Sequence, residues 1–476
     1  MDGRGLVGSV TWAAIEAFGL IFVSFVTLLV LARLLGPTEF GQAATVIAIY
    51  QVMGISIEQL FAEILVQRDR ITATHVCTAF WTSFSLASLL VLGCLVMWLA
   101  NPSSEFDLRL LVISTALLPL SYSGVESAML RRSFSFRTLA VRTLGARLAG
   151  AILGLVLAFS GAGAWSIILQ QLLIVTMGAA ILWVFTPNKI RFSFDLAALR
   201  ELIGFAVASL GSELMVSASP KLYQLVAAWA LNTQAFGYLS IALRLVDTLR
   251  ELIGHVTANV GLPLFSRLRD NAPNLSTVFV LATSATCLFA MPVFVGLSAS
   301  SRVVIEVILG PAWLPAVPAT QILAAGAAIG SISMLSFSLL SACGRPATGL
   351  VRGTFDFIWI LVLGTLVAPY GLVAAALVWA TRQAASSLIA LGLCVHFVKV
   401  VPRQIVGSLI FPFAVSVAVG VSLIAMDKVL LAESVPPAQR LIIMLLTGGG
   451  LLLSIIAVRR RNFAMLLVAI GRSSAD

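Results

Sequence analysis

Almost nothing in this sequence is charged. Asp, Glu, Lys and Arg make up 11% of its 476 residues, against 60% that are hydrophobic. A soluble domain needs a charged shell, and this composition does not supply one. Long polar loops are missing as well, so no segment is large enough to hold a nucleotide fold or a nucleic-acid module. HExxH, GxSxG, P-loop and extramembrane DxD patterns are absent, which argues against an enzyme and against ATP-driven transport by this chain alone. The five cysteines (Cys77, Cys94, Cys287, Cys343, Cys394) lie in or beside apolar runs. None has zinc-like or CxxC spacing, and Cys394 with His396 reads as packing, so neither a disulfide framework, a metal nor another cofactor is expected. The N-terminus has no basic stretch followed by a small-residue cleavage site, and its first apolar run is long enough to stay as a span.

What remains is apolar sequence of spanning length, repeated from end to end. In hydrocarbon the backbone must satisfy its own polar groups, which leaves helices or a closed barrel. The runs are continuous and show no alternation, so an all-α integral membrane protein of about fourteen transmembrane helices is expected. The spans lie near 10–33, 42–63, 76–100, 108–129, 138–160, 163–186, 201–230, 236–262, 276–300, 315–341, 347–368, 370–396, 405–426 and 438–458. Alternate loops divide the basic residues unequally, 19 on one side and five on the other. That asymmetry places both termini in the cytoplasm. It also accounts for the net charge of +10 without a nucleic-acid partner.

Internal similarity divides the chain. LLGPTEFG (34–41) aligns with ALNTQAFG (230–237) at an offset of 196, which brings Glu16 within one residue of Glu213. SGAGAWSI (160–167) matches APYGLVAA (368–375) more weakly. These repeats favour two pseudo-symmetric six-helix lobes around a central cavity. The expected organisation is an N-terminal lobe (1–186), a cytoplasmic amphipathic linker (187–200), a C-terminal lobe (201–400), and an added helix pair with a cytoplasmic tail (401–476). The apolar stretch FAMLLVAI (463–470) is too short to cross and is read as interfacial.

Ionisable residues within spans are costly, roughly 2.5–3.5 kcal/mol each at a helix centre, and therefore informative. Arg244, Asp247, Glu251 and His255 fall in one stripe at 100° per residue, with Arg250 beside them. Such a face lines a cavity, or else forms an ion-pair network that only locks the bundle. Arg142, Arg147, Lys221, Arg244, Arg250 and Arg382 are the candidates for binding an anionic headgroup, since guanidinium matches phosphate oxygens. Glu16, Glu213, Asp247, Glu251, His255 and Asp356 are the candidates for internal ion pairs or for coupling to H⁺ or Na⁺. Pro220 is expected to kink span seven or merely to pack there. Glu58, Glu63 and Glu126 sit near span ends, where snorkelling is an adequate explanation.

Several segments carry a resemblance: LARLLGPTEFGQAA (31–44), AMLRRSFSFRTLAVRT (128–143), FGYLSIALRL (236–245), PLFSRLRD (263–270) and MPVFVGLSASSRVVIEVILGPAWLPAVPATQILA (291–324). In this order they resemble the polysaccharide-transporter branch of the multidrug/oligosaccharidyl-lipid/polysaccharide exporter superfamily. The resemblance implies a two-lobed bundle working by alternating access in the inner membrane. Its cargo would be undecaprenyl-pyrophosphate-linked oligosaccharide repeat units for exopolysaccharide, capsule or O-antigen synthesis, with membrane lipids, a polymerase and chain-length machinery as partners. Arg142 and Arg244 fall within the resembling segments. A cation-coupled multidrug exporter of the same superfamily is the first alternative, opposed by the excess of buried Arg. A membrane polymerase or ligase is the second, opposed by the lack of a sizeable outer loop.

Overall fold

The computed structural model describes residues 3–68, 70–186, 191–216, 219–268, 272–345 and 347–458. Side chains are described over 19–454 except 69, 187–190, 205, 208–218, 256, 258–260, 269–274 and 346. Within these limits every regular element is a helix. The tail stretch 463–470 lies outside the described residues, as do the first four residues of the linker.

The first helices are α1 (Gly3–Glu58), α2 (Ala62–Gln67), α3 (Ala73–Ala100), α4 (Glu105–Ser114), α5 (Leu117–Arg132) and α6 (Phe136–Phe159). They are followed by α7 (Trp165–Phe185), α8 (Leu196–Val216), α9 (Ser219–Ala230), α10 (Thr233–Leu268), α11 (Ala272–Ile308) and α12 (Val317–Gly330). The last are α13 (Ser336–Ala342), α14 (Thr348–Trp359), α15 (Thr365–Val367), α16 (Leu372–Val398), α17 (Pro402–Ala432) and α18 (Pro437–Val458).

Eleven helical stretches among the described residues are long and apolar enough to cross a membrane. Fourteen is not reached by that measure, and the differences have physical causes. Residues 19–67 form one apolar stretch, although the chain turns sharply at Gly36 (φ 72°, ψ 174°) with Pro37 starting the next helical run. Glycine tolerates that backbone and proline suits a first helical turn. In α10, Arg244, Asp247, Arg250 and Glu251 crowd the middle of the helix. At 12 residues α9 is short for a span, and Pro220 is its second residue, where the missing N–H costs nothing.

By packing, the chain divides into Met1–Gly237 and Tyr238–Asp476. In the first unit, Val46, Tyr50 and Ile57 of α1 pack with Leu110, Leu117 and Ile168. A second cluster joins Phe61 and Leu65 to Val125 and Ala128 of α5 and to Leu202 and Ala206 of α8. Arg132 closes the end of α2 by donating to the carbonyls of Leu65 and Val66 at 3.3 Å and of Arg68 at 2.5 Å.

The repeated segments of the sequence meet each other within this unit. A Cβ placed on Gly41 would lie 2.0 Å from the Thr233 carbonyl oxygen, and one on Gly237 would lie 2.2 Å from the Pro37 oxygen. Pro37 and Thr233 are equivalent in the repeat, so the contact is reciprocal. In the weaker repeat Gly163 (φ 55°) and Gly371 (φ 112°) share a positive φ ahead of α7 and α16.

In the second unit, Phe265 of α10 and Phe279 of α11 pack with Leu339 of α13, Cys394 of α16 and Ile405 of α17. The final pair is fastened to α11: Leu288 and Val303 contact Val415, Val419 and Leu423 of α17 and Met444 of α18. Arg440 of α18 is buried and bonded to Asp427 of α17. Inside a bilayer such contacts gain from close packing rather than from exclusion of water.

Candidate functional site

The 36 residues of α10 give a rod of about 54 Å, longer than the roughly 30 Å hydrocarbon layer. Counted from Thr233, Arg244 lies about 16 Å along it and His255 about 33 Å. The charged stripe thus occupies the middle third of the helix. Arg244 Nη1 lies 3.9 Å from Glu251 Oε1, and Arg250 Nη1 lies 3.6 Å from Asp247 Oδ1. Both pairs are long, and both arginines keep exposure, 38% and 29%. Loose, solvated pairs of this kind stabilise by no more than about 1 kcal/mol. Their guanidinium donors therefore remain available to a ligand. His255 is exposed on the same helix.

Arg382 of α16 is held quite differently. Its Nη1 donates to Asp356 Oδ2 of α14 at 2.8 Å and its Nη2 to Gln383 Oε1 at 2.8 Å. The guanidinium also stacks 3.9 Å above the Trp379 ring, and only 5% of the side chain is exposed. One turn before Asp356, Arg352 donates from Nε to Ser386 Oγ at 2.7 Å. Arg250, Arg352 and Asp247 all lie within electrostatic reach of Arg382. The faces of α10, α14 and α16 thus bring three guanidinium groups against two carboxylates, an excess of one positive charge. Arg244 and Glu251 add a neutral pair.

Arg352, Gln383 and Ser386 are members of this cluster that the sequence reading missed. Helical spacing could have found them, because Arg352–Asp356 and Arg382–Ser386 are both four residues apart.

In the first unit Arg142 of α6 is half-buried and donates to Ser127 Oγ of α5 at 3.1 Å. A Cβ on Gly178 of α7 would lie 3.3 Å from its Nε, so the absence of a side chain there makes room for the guanidinium. Arg147 is half-buried and lies about 140° around α6 from Arg142, so the two point to different neighbours. Lys221 is half-buried in the first turn of α9. The side chains of Glu16 and Glu213 lie outside the described residues.

Of the three carboxylates assigned to snorkelling, Glu63 is exposed and accepts from Gln67 Nε2 at 2.7 Å, and Glu58 is half-buried. Glu126 contradicts the expectation: the residue is only 3% exposed. Arg109 is also buried, donating to Glu105 and Gln42 beside the Trp165 ring.

Comparison with known proteins places this arrangement in context. The succinoglycan biosynthesis transport protein ExoT of Rhizobium meliloti is 25% identical over 374 residues, 76% of this chain and 73% of that protein. The teichuronic acid biosynthesis protein TuaB of Bacillus subtilis is 20% identical, covering 88% of each chain. The lipopolysaccharide biosynthesis protein WzxC of Escherichia coli is 22% identical over 86% of this chain and 85% of its own length. Among solved structures, the lipid II flippase MurJ in an inward closed conformation superposes with a TM-score of 0.74 at 14% identity, covering 96% of this chain and all of that one. A multidrug-resistance MATE transporter of the MOP superfamily gives 0.58 at 14% identity over 81% of this chain and 98% of its own. The chain therefore has the all-helical fold of these multi-pass membrane transporters. Its residues 30–318 match the model of the polysaccharide biosynthesis protein family, and the chain is a member of that family.

Proposed function

We propose that this protein is a flippase that moves undecaprenyl-pyrophosphate-linked oligosaccharide repeat units from the cytoplasmic to the periplasmic leaflet of an inner membrane. The observation that carries the reading is the pair of loosely held, half-exposed arginines, Arg244 and Arg250, within a charge cluster of α10, α14 and α16 whose guanidinium groups outnumber its carboxylates by one. Pyrophosphate crossing an apolar layer needs that charge, because a bare anion in low dielectric is strongly unfavourable. The names of the family relatives, transport and polysaccharide biosynthesis proteins, agree with this cargo class.

Arg244 and Arg250 would engage the phosphates, and Arg142, Arg147 and Lys221 are the first unit's own candidates for an anionic headgroup. Arg382, fixed by Asp356 and Trp379, would hold its positive charge in place rather than move with the substrate. Asp247, Glu251, Asp356, Glu16 and Glu213 are carboxylates through which H⁺ or Na⁺ would be coupled. Both termini would face the cytoplasm, and a polymerase with its chain-length machinery would take the delivered repeat units.

The test is the sidedness of lipid-linked repeats in a deletion strain, read with a sugar-specific probe on spheroplasts. Accumulation on the cytoplasmic face, relieved by the wild-type gene but not by R244A, supports the reading. Normal periplasmic delivery with gain of drug sensitivity would overturn it in favour of a multidrug exporter.

A further inference from the structure

Glu126 is the buried acid that the cluster above does not use. It lies on α5, six residues before the end of that helix, about 9 Å from it along the axis. Helical spacing sets it on one stripe with Tyr122, four residues before, and Leu130, four residues after. Those two residues pack with Ala179 and Leu182 of α7 and with Phe80 of α3. The acid therefore sits on the side of α5 that meets an apolar wall, and α7 has no ionisable residue along its length.

The charged groups on the surrounding elements are engaged elsewhere or simply do not reach it. Arg132 is spent on the carbonyls at the end of α2. Arg142 donates to Ser127. His75 of α3 lies with Thr72 and Glu201, and Glu63 of α2 with Gln67. Glu58 of α1 has the same sign as Glu126. Tyr122 shares its hydroxyl with Thr186 Oγ1 at 3.1 Å. Among the described residues none makes a hydrogen bond or ion pair with Glu126.

An isolated buried carboxylate costs several kcal/mol after relaxation, and a proton on it removes the charge altogether. A metal cation is a poorer occupant. It requires several oxygen ligands, whereas the wall on this side is hydrocarbon and the neighbouring Ser127 oxygen already accepts from a guanidinium.

We propose that Glu126 is a proton-binding site of the first unit, occupied in the packing described here and emptied when the α5–α7 face is hydrated. The step is proton transfer alone: the carboxylate takes H⁺ from water on loading and returns it to water on release. Its use in transport rests on the flippase reading. The proton site itself does not.

Two readouts separate these levels, both on the full-length protein. The first is the infrared carbonyl band of a protonated carboxylic acid, recorded at neutral pH for wild type, E126Q and E126D in lipid. The band should be present in wild type, kept in E126D and diminished in E126Q. Identical bands in wild type and E126Q would overturn the proposal whether or not the protein flips lipid. The second is flipping of a lipid-linked repeat unit in proteoliposomes under a one-unit pH gradient. One proton per cycle biases the final distribution by about tenfold per unit. That bias should fall to none in E126Q while downhill flipping continues. An unchanged bias in E126Q would overturn the coupling role. Wild-type vesicles that flip nothing would sink the flippase reading, with the infrared band still deciding the proton site.

Discussion

Replacing Gly41 by alanine would set a methyl carbon 2.0 Å from the Thr233 carbonyl oxygen and 3.1 Å from the Gly237 nitrogen. Carbon and oxygen in van der Waals contact sit near 3.4 Å or beyond, so the two backbones must part by more than an ångström. Nothing at the contact is a flexible side-chain end that could swing away. Overpacking of a tight interior costs typically about 1–3 kcal/mol, and a clash between two helix starts belongs at the top of that range. Three kcal/mol is on the order of a hundredfold in the folded equilibrium. G237A meets the same geometry against Pro37 and should cost as much. The double variant should not cost the sum, because one separation of the backbones serves both methyl groups and contacting sites are not additive. Thermal unfolding of the purified variants, followed by loss of monodispersity, measures this directly. G93A is the control, since a Cβ on Gly93 of α3 meets nothing within 4 Å, and it should be neutral or slightly stabilising. A G41A protein as stable as G93A, or a double variant losing the full sum, would refute the reasoning.

Other outcomes follow from the charged groups. R382A or D356A alone strands a buried charge and should cost about 3–5 kcal/mol, whereas the apolar double D356L/R382M should recover much of it; thermal unfolding of the three variants checks the order. R244A and R250A should leave stability within about 1 kcal/mol of wild type and yet stop export, which polymer secretion and membrane abundance measured together would show. S386A should leave the Arg352 Nε without its partner and cost about 1–3 kcal/mol, visible as a lowered unfolding midpoint.

The helical, multi-span character was legible because apolar length is a one-dimensional signal, and eleven such stretches stand among the described residues where about fourteen were expected. Position along a helix was legible as well: Arg244 and Asp247 fall near the middle of α10, as counting residues gives. What a sequence does not give is the neighbour that each helical face meets. Glu126 shows the difference. Counting from Arg132 gives its depth, and at that depth snorkelling is reasonable. Only the packing of α5 on α7 shows that its side faces hydrocarbon within the protein. Arg382 makes the same point in reverse, since one arginine among six candidates proves to be clamped by a carboxylate, an amide and an indole ring. The repeat at 34–41 and 230–237 could be found by alignment, but similarity alone does not say that the two copies touch.

That contact has the form of a seam between identical subunits, where a segment meets its own counterpart and one residue type serves both sides. In a twofold dimer a single substitution alters both faces together. Within one chain the two glycines change independently, 196 positions apart, so any gain of bulk at one meets an unaltered partner. The partner cannot shrink to make room, because glycine has no side chain left to lose. The crossing therefore has no second-site suppressor of its own, and relief must come from the backbones on either side.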